Sequence, residues 1–184
     1  MKRVKKNSNS PIILECLEYP KDSKKIREIL EVEQSNFCAY TEHRISSAFA
    51  VDIEHFNPTR KSILNDYYNW YAVGRKWNSK KASKWADFQP VLQPSDSTLE
   101  NRINYNVETG TYQADATDTE AQNLLKLLDI NNYELSQERR DHIQNIKTLI
   151  KLSGIKLIEL IEFYKDSKQI QFRRAIETAF MIEL

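Results

Sequence analysis

The feature that most constrains the fold is the segment 52–81. Residues 53–56 are predicted as a short strand, and residues 57–68, which include a proline, as a loop. Aromatic and apolar residues at 70–73 indicate a second strand, and the chain from about 76 to 87 is predicted to be a helix. Polar side chains can converge at the ends of such elements, so this strand–loop–strand–helix unit is a candidate site.

Four polar side chains occupy the ends of these elements. Glu54 and His55 are adjacent at the end of the first strand, and Asn69 directly precedes the second strand. Asn78 follows in the predicted helix, with Lys81 behind it. An acidic residue next to a histidine is more often structural than catalytic, so the functional interpretation depends on the order of all four residues.

This order resembles the HNH endonuclease motif, also called the ββα-metal unit. The resemblance implies that His55 is the general base and that Asn69 holds it in orientation. It also implies that Glu54 and Asn78 bind one divalent cation, Mg²⁺ or Mn²⁺. The implied reaction is hydrolysis of a phosphodiester bond, with products that carry 5′-phosphate and 3′-hydroxyl ends.

The residue types suit this chemistry. A phosphodiester is anionic and has a poor alkoxide leaving group, so its hydrolysis needs a base that is active near neutral pH. Histidine is the side chain whose unperturbed pKa lies there. A cation beside the developing charge stabilises the transition state. Carboxylate and amide oxygens are ligands that suit Mg²⁺ or Mn²⁺.

Basic residues flank the segment. The default interpretation of such a cluster is a solvated helix face, but beside a phosphodiester site contact with substrate phosphates is an equal alternative. The residues predicted to bind substrate phosphates are Arg60, Arg75, Lys80 and Lys81.

Several other residues are interpreted as structural. The aromatic residues within 67–71 are expected in the core rather than as a surface on which bases stack. His43 and His142 are predicted to be surface histidines, and Arg139 and Arg140 ordinary charges on a helix surface.

The cysteines argue against a structural zinc. In a set of HNH proteins, two cysteine pairs around the motif hold such an ion, but here the first segment, 38–42, contains only Cys38 and the second, 74–78, contains none. A lone thiolate cannot hold tetrahedral zinc, so no structural zinc is expected. Tyr40 and Trp77 are expected to fill the corresponding space by apolar packing.

The resemblance extends downstream. Residues 114–139 and the proline-containing link 88–96 resemble the HNH proteins of Septu-type (PtuB-like) antiphage systems, which also occur beside retrons. The likeness covers roughly residues 20–150. It implies a DNA endonuclease of prokaryotic antiviral defence that acts with a partner ATPase (PtuA-like) related to ABC and AAA-type enzymes.

The predicted fold class is α+β, with a ββα-metal core and mostly helical flanking and C-terminal regions. The predicted organisation is a flexible basic arm (1–22), a nuclease core with a preceding helix (23–95), and a hairpin followed by helices (96–184). Within these regions we expect a helix at 23–35, a hairpin within 97–114, and helices at 117–128, about 135–153, 155–165 and 168–183.

Composition sets the remaining bounds. The chain has 184 residues, and its 27 Lys and Arg against 26 Asp and Glu give no overall basic excess, so any nucleic-acid contact must come from local patches. No apolar run is long enough to span a membrane, and the basic N-terminal residues are not followed by the apolar stretch of a secretory signal. With only two cysteines, the chain is expected to be cytoplasmic.

Two alternatives from other classes stay open. The first is a nuclease that cleaves RNA, for example transfer RNA, in a retron-linked system. The second is a non-catalytic HNH-like module that binds an ATPase and regulates it.

Overall fold

The structure, a computed structural model, describes residues 1–82 and 84–184, except for the side chains of residues 80 and 82. Helices and strands are mixed along the chain, which agrees with the α+β class predicted from the sequence. In chain order the elements are α1 (Pro11–Leu14), α2 (Ser23–Glu33), β1 (Val51–His55), β2 (Trp70–Gly74), α3 (Arg75–Ala82), α4 (Leu99–Arg102), β3 (Ile103–Asn106), β4 (Thr111–Ala114), α5 (Thr119–Leu127), α6 (Tyr133–Ser153), α7 (Leu157–Asp166) and α8 (Arg173–Phe180).

The strand–loop–strand–helix unit predicted from the sequence is present. β1 pairs antiparallel with β2, and His55 lies opposite Trp70. The connecting loop contains two short 3₁₀ turns, Pro58–Arg60 and Tyr67–Asn69. α3 follows β2 directly and is shorter than the predicted helix, because the chain continues in a separate 3₁₀ turn at Trp85–Phe88.

The β1–β2 sheet has hydrophobic residues packed on both faces. Side chains alternate between the faces of a strand, so Trp70 and Ala72 of β2 pack with Ile26 and Leu30 of α2 in a smaller cluster. Tyr71 and Val73 face the opposite way, into the main core that includes the C-terminal helices. As predicted, the aromatic run is largely buried; its exposed member is Tyr68.

The first 22 residues pack against the fold, which differs from the predicted flexible basic arm. Ile12 and Leu17 are buried with α2 in the smaller cluster. The ammonium group of Lys6 donates to the main-chain oxygens of Tyr67 and Trp70 and lies over the ring of Tyr71. These apolar and cation–π contacts, which depend on residues distant in sequence, keep the segment on the sheet.

The hairpin and the C-terminal helices share the main core with the ββα unit, so the regions 23–95 and 96–184 are continuous. β3 and β4 form the predicted hairpin, and Gly110 adopts the left-handed conformation beside its turn. α5, α6 and α7 begin and end within two residues of the predicted positions, whereas α8 is shorter than the predicted helix at 168–183. α5 is capped by Asp118, and α6 ends at Gly154 in the left-handed conformation.

Four residues predicted at the surface are instead wholly or partly buried. Arg139 is fully buried, and its guanidinium donates to the main-chain oxygens of Gly110 and Ile130. Arg140, His43 and His142 are partly buried. The surface prediction was wrong for Arg139 because its charge is satisfied by carbonyl groups of the hairpin and of the α5–α6 connection.

No helix in residues 1–82 and 84–184 is both long enough and apolar enough to cross a lipid bilayer.

Candidate functional site

A cavity of about 600 Å³ lies along β1. All five residues of β1, including His55, contribute to its wall. β1 pairs only with β2 in the described sheet, so its other edge is open to this cavity. The remaining wall residues come from α2 and the residues before it, from α3 and from the loop after β1, and they include Lys24, Arg27, Lys61, Arg75 and Asn78.

His55 combines burial with an unsatisfied ring nitrogen. The residue is only 3% exposed, and its Nε2 has no hydrogen-bond partner among the described protein atoms. Its ring meets the edges of two aromatic side chains, with centroid distances of 4.8 Å to Tyr19 and 6.0 Å to Trp70. Burial lowers the pKa of His55, and the positive charge of Lys61 lowers it further. The imidazole is therefore neutral at pH 7, the form that can accept a proton.

Asn69 fixes the chain immediately after His55. Its Oδ1 accepts a hydrogen bond from the Asn57 main-chain N–H at 2.7 Å, and its Nδ2 donates to the Asn57 carbonyl at 3.0 Å. The Phe56 N–H also donates to the Asn69 carbonyl at 2.8 Å. These bonds hold the loop backbone, so any effect of Asn69 on the orientation of His55 acts through the main chain.

Glu54 points to the opposite face of β1 from His55, because neighbouring residues of a strand alternate. Its carboxylate is buried, forms an ion pair with Lys81 and accepts a hydrogen bond from the Tyr40 hydroxyl at 3.2 Å. Burial raises the pKa of Glu54 and lowers that of Lys81, and the contact between the two groups opposes both shifts. A divalent cation bound by Glu54 would have to compete with this ammonium group.

Asp52 offers a second carboxylate on the same cavity. It shares a face of β1 with Glu54 but is only partly buried. Its Oδ2 lies 3.4 Å from Nδ2 of Asn78, and its Oδ1 lies 3.1 Å from Nε of Arg75. Rotation of the Asn78 amide about its terminal bond would turn its oxygen towards Asp52. Asp52 and Asn78 can therefore supply two neighbouring oxygen ligands to one cation.

The oxygen donors at the cavity suit a hard cation. Across residues 1–82 and 84–184, no three histidine, cysteine, aspartate or glutamate side chains cluster closely enough to hold a metal ion. The pair of Asp52 and Asn78 matches the usual arrangement for Mg²⁺, which keeps several waters and takes few protein ligands. Such a cation would supply positive charge beside a bound phosphate.

The predicted phosphate-binding residues have different environments. Arg75 lines the cavity and is exposed, but Arg60 pairs with Asp66 at 2.7 Å and lies outside the cavity wall. Lys81 is 1% exposed and donates to Glu54 and to the carbonyls of His55 and Phe56, so its ammonium group is not placed to meet a phosphate.

The side chain of Lys80, the fourth residue predicted to bind phosphate, lies outside the described part of the structure.

Several wall residues were not predicted as site residues. Lys24 and Arg27 reach the cavity from α2, Tyr19 covers the His55 ring, and Asp52 lies beside Asn78. Only Asp52 had a usable sequence signal, because alternation along β1 puts it on the same face as Glu54. The others arrive through packing between elements that are distant in sequence.

Cys38 has a structural environment. It is buried, and its sulfur accepts a hydrogen bond from the Gly74 N–H at 3.4 Å. Tyr40 and Trp77 are buried in the same core cluster, which agrees with the predicted apolar packing around the two segments.

Searches of protein-family models, curated proteins and solved structures found no match to this chain. Its class is therefore defined by its own geometry: a mixed α and β protein whose strand–loop–strand–helix unit carries a basic cavity beside a buried, neutral histidine.

Proposed function

We propose that this protein is a metal-dependent endonuclease of the HNH type that hydrolyses phosphodiester bonds in DNA. The observation that carries the proposal is the cavity along β1, whose wall includes His55 together with oxygen donors and several cations. A base, a cation site and positive charge for phosphates are the three requirements of phosphodiester hydrolysis.

His55 acts in this proposal as the general base. Its unpartnered Nε2 accepts a proton from the water that attacks the phosphorus atom, and this contact requires the Tyr19 ring that covers the imidazole to move aside. Burial and, to a smaller extent, the positive charge of Lys61 lower the pKa of His55 and so favour the deprotonated imidazole before the reaction. Asn69 maintains the loop backbone after His55 and so preserves the position of the base.

A divalent cation, Mg²⁺ or Mn²⁺, would supply positive charge for the bound phosphate in this proposal. Asn78 and a carboxylate of β1 would hold it, and Asp52 is more accessible for this role than Glu54. Arg75 completes the same wall and can contact a non-bridging phosphate oxygen once Asp52 releases it.

The biological setting is proposed from the sequence resemblance. A Septu-type antiphage system would place this nuclease in the cytoplasm with an ATPase subunit. The near-neutral net charge supports a contribution from that partner, because the chain has little overall attraction for nucleic acid.

Cleavage assays test the proposal. The purified chain, with and without an ATPase encoded beside it, is incubated with plasmid DNA, single-stranded DNA and transfer RNA in Mg²⁺ or Mn²⁺. We expect metal-dependent DNA cleavage that falls by about 10²–10⁴ in His55→Asn. His43→Gln is the matched control, because His43 contacts Thr41 and Glu138 and is not part of the cavity wall.

The substrate that is cut separates the DNA proposal from the RNA alternative. Cleavage of transfer RNA but not DNA would identify RNA as the substrate, and the proposed role of His55 would be unaffected. Equal cleavage by the wild type and His55→Asn would remove the proposed base.

One observation favours a non-catalytic module. The ion pair between Glu54 and Lys81 satisfies one of the predicted metal ligands without a metal. If the protein only binds and regulates an ATPase, it should bind neither Mg²⁺ nor Mn²⁺ in the cavity along β1. Metal titration followed by calorimetry distinguishes this function from the endonuclease.

A further inference from the structure

The cavity along β1 continues beyond the candidate site. A second cavity of about 490 Å³ adjoins it, and the two share Arg27, Val51 and Arg75 in their walls. The first reaches His55, and the second reaches the loop residues 45–50. We call the two cavities together the β1 groove.

Lysine and arginine side chains line both sides of the β1 groove. Lys24 and Arg27 project from α2, Arg75 projects from α3, and Lys61 comes from the loop after β1. All four residues are exposed. Because the net charge of the whole chain is only +1, this concentration of cations is a local feature.

The acidic residues of the groove only partly offset these charges. Glu54 is matched by the buried Lys81. Asp52 lies against Arg75, and Glu31 lies 3.6 Å from Arg27 on the surface of α2. Surface pairs of this kind are weak and exchange readily for a bound anion.

The groove has the length of a short piece of nucleic acid. Four residue steps from Val51 to His55 span about 13 Å. A strand of duplex DNA advances about 3.4 Å per nucleotide, so this length corresponds to about four stacked nucleotides. Lys61 lies in the wall at the His55 end, so this end of the groove also carries a cation.

We propose that the β1 groove binds a polynucleotide strand through its phosphates, with Lys24 and Arg27 as contacts from α2 and Arg75 as the contact from α3. The groove leads the strand to His55, and this last step rests on the proposed nuclease function. The binding itself is sequence-independent, because phosphate contacts carry no base information.

Fluorescence anisotropy with a labelled 12-nucleotide DNA, measured over a series of salt concentrations, tests the proposal. The double variant Lys24→Gln/Arg27→Gln should bind at least about tenfold more weakly at low salt, and its salt slope should fall by about 1.4. Both side chains are exposed, so the variant should keep its fold, which thermal melting checks.

Lys25→Gln is the matched control. Lys25 lies on the same helix, pairs with Glu15 and does not line either cavity. It should retain the affinity and the salt slope of the wild type. Equal losses in the control and in the double variant would overturn the proposal, and so would a wild-type chain that binds no oligonucleotide at about 50 mM salt.

Cleavage measured on the same variants separates this inference from the proposed function. DNA binding that depends on Lys24 and Arg27, without any cleavage, would support the groove and contradict the nuclease. Metal-dependent cleavage with binding that is insensitive to the double variant would contradict the groove and leave the nuclease standing.

Discussion

The alternation of side chains along β1 separates two residues that are adjacent in sequence. His55 faces the aromatic rings of Tyr19 and Trp70, while Glu54 turns to Lys81 and Tyr40 on the other face. The adjacent pair in the sequence motif therefore does not by itself form a pair in space. His55 shares the wall of the cavity along β1 with the oxygen donors Asp52 and Asn78.

A metal-binding prediction follows at this scale. Asp52→Asn should weaken Mn²⁺ binding by tenfold or more, because it removes the accessible carboxylate beside Asn78. Glu54→Gln should change the affinity less, since Glu54 is already bound to Lys81. Isothermal titration calorimetry measures both affinities.

The opposite order, with Glu54→Gln causing the larger loss, would show that the cation displaces Lys81 and would restore Glu54 as the ligand. Asp141→Asn is a control, because Asp141 is an exposed carboxylate on α6 that bonds to Gln137.

At the scale of elements, the contact between the β3–β4 hairpin and α6 explains why Gly110 is a glycine. Its φ is +71°, and a Cβ atom there would lie 2.3 Å from the Ser136 carbonyl oxygen. Gly154, at the end of α6, has a similar φ of +69° but no heavy atom within 4 Å of the same position. An alanine at Gly154 would therefore introduce backbone strain alone, whereas an alanine at Gly110 would add a steric overlap to the same strain.

Gly110→Ala should lower the free energy of unfolding by about 3 kcal/mol or more, because the helix must move away from the hairpin. Gly154→Ala should cost only about 1 kcal/mol, the strain of the left-handed conformation. Urea unfolding of both variants provides the comparison. Equal losses in the free energy of unfolding would contradict the close contact between Gly110 of the hairpin and Ser136 of α6.

The contact of α6 with residues 164–172 predicts a pH-dependent stability. His142 packs against the rings of Tyr164 and Phe172, and burial lowers its pKa from 6.5 to about 4. Between these two values the unfolded chain binds the proton and the folded chain does not. The contribution of His142 to stability is therefore complete above pH 6.5 and is lost as the pH falls towards 4.

Unfolding by urea at pH 7 and pH 4.5 checks this prediction against His142→Phe, which keeps an aromatic ring between Tyr164 and Phe172. The wild type should lose up to about 3 kcal/mol more than the variant over this range. Parallel losses in the two proteins would assign the pH dependence to other groups.

At the scale of the whole molecule, local patterns predicted the elements well. The ββα unit, the hairpin and the long helix α6 follow from signals within each segment, such as Gly154 at the end of α6. Arg139 had a readable signal as well, because it lies on the same helical face as Ile143 and Ile146, both buried. Arg139 was nevertheless predicted at the surface because its side chain is charged.

Contacts between distant segments could not be predicted from such patterns. The ion pair of Glu54 with Lys81 depends on how α3 packs beneath β1, and the cations of α2 reach the cavity only because α2 packs on the sheet. The amphipathic pattern of α2 shows which residues face outwards, but not what they face. The residues that line the cavity therefore differ from the predicted site residues mainly because of tertiary packing.

The central proposal is that the cavity along β1 holds a divalent cation at the oxygen donors of β1 and α3, with His55 in the wall of the same cavity. Paramagnetic broadening of NMR signals by Mn²⁺ tests it most directly, since it needs neither a substrate nor a partner. At substoichiometric Mn²⁺, the ring signals of His55 and the side-chain amide signals of Asn78 should broaden first, while those of His142 stay sharp. Broadening that spares His55 and Asn78, or that affects all three residues equally, would contradict the account.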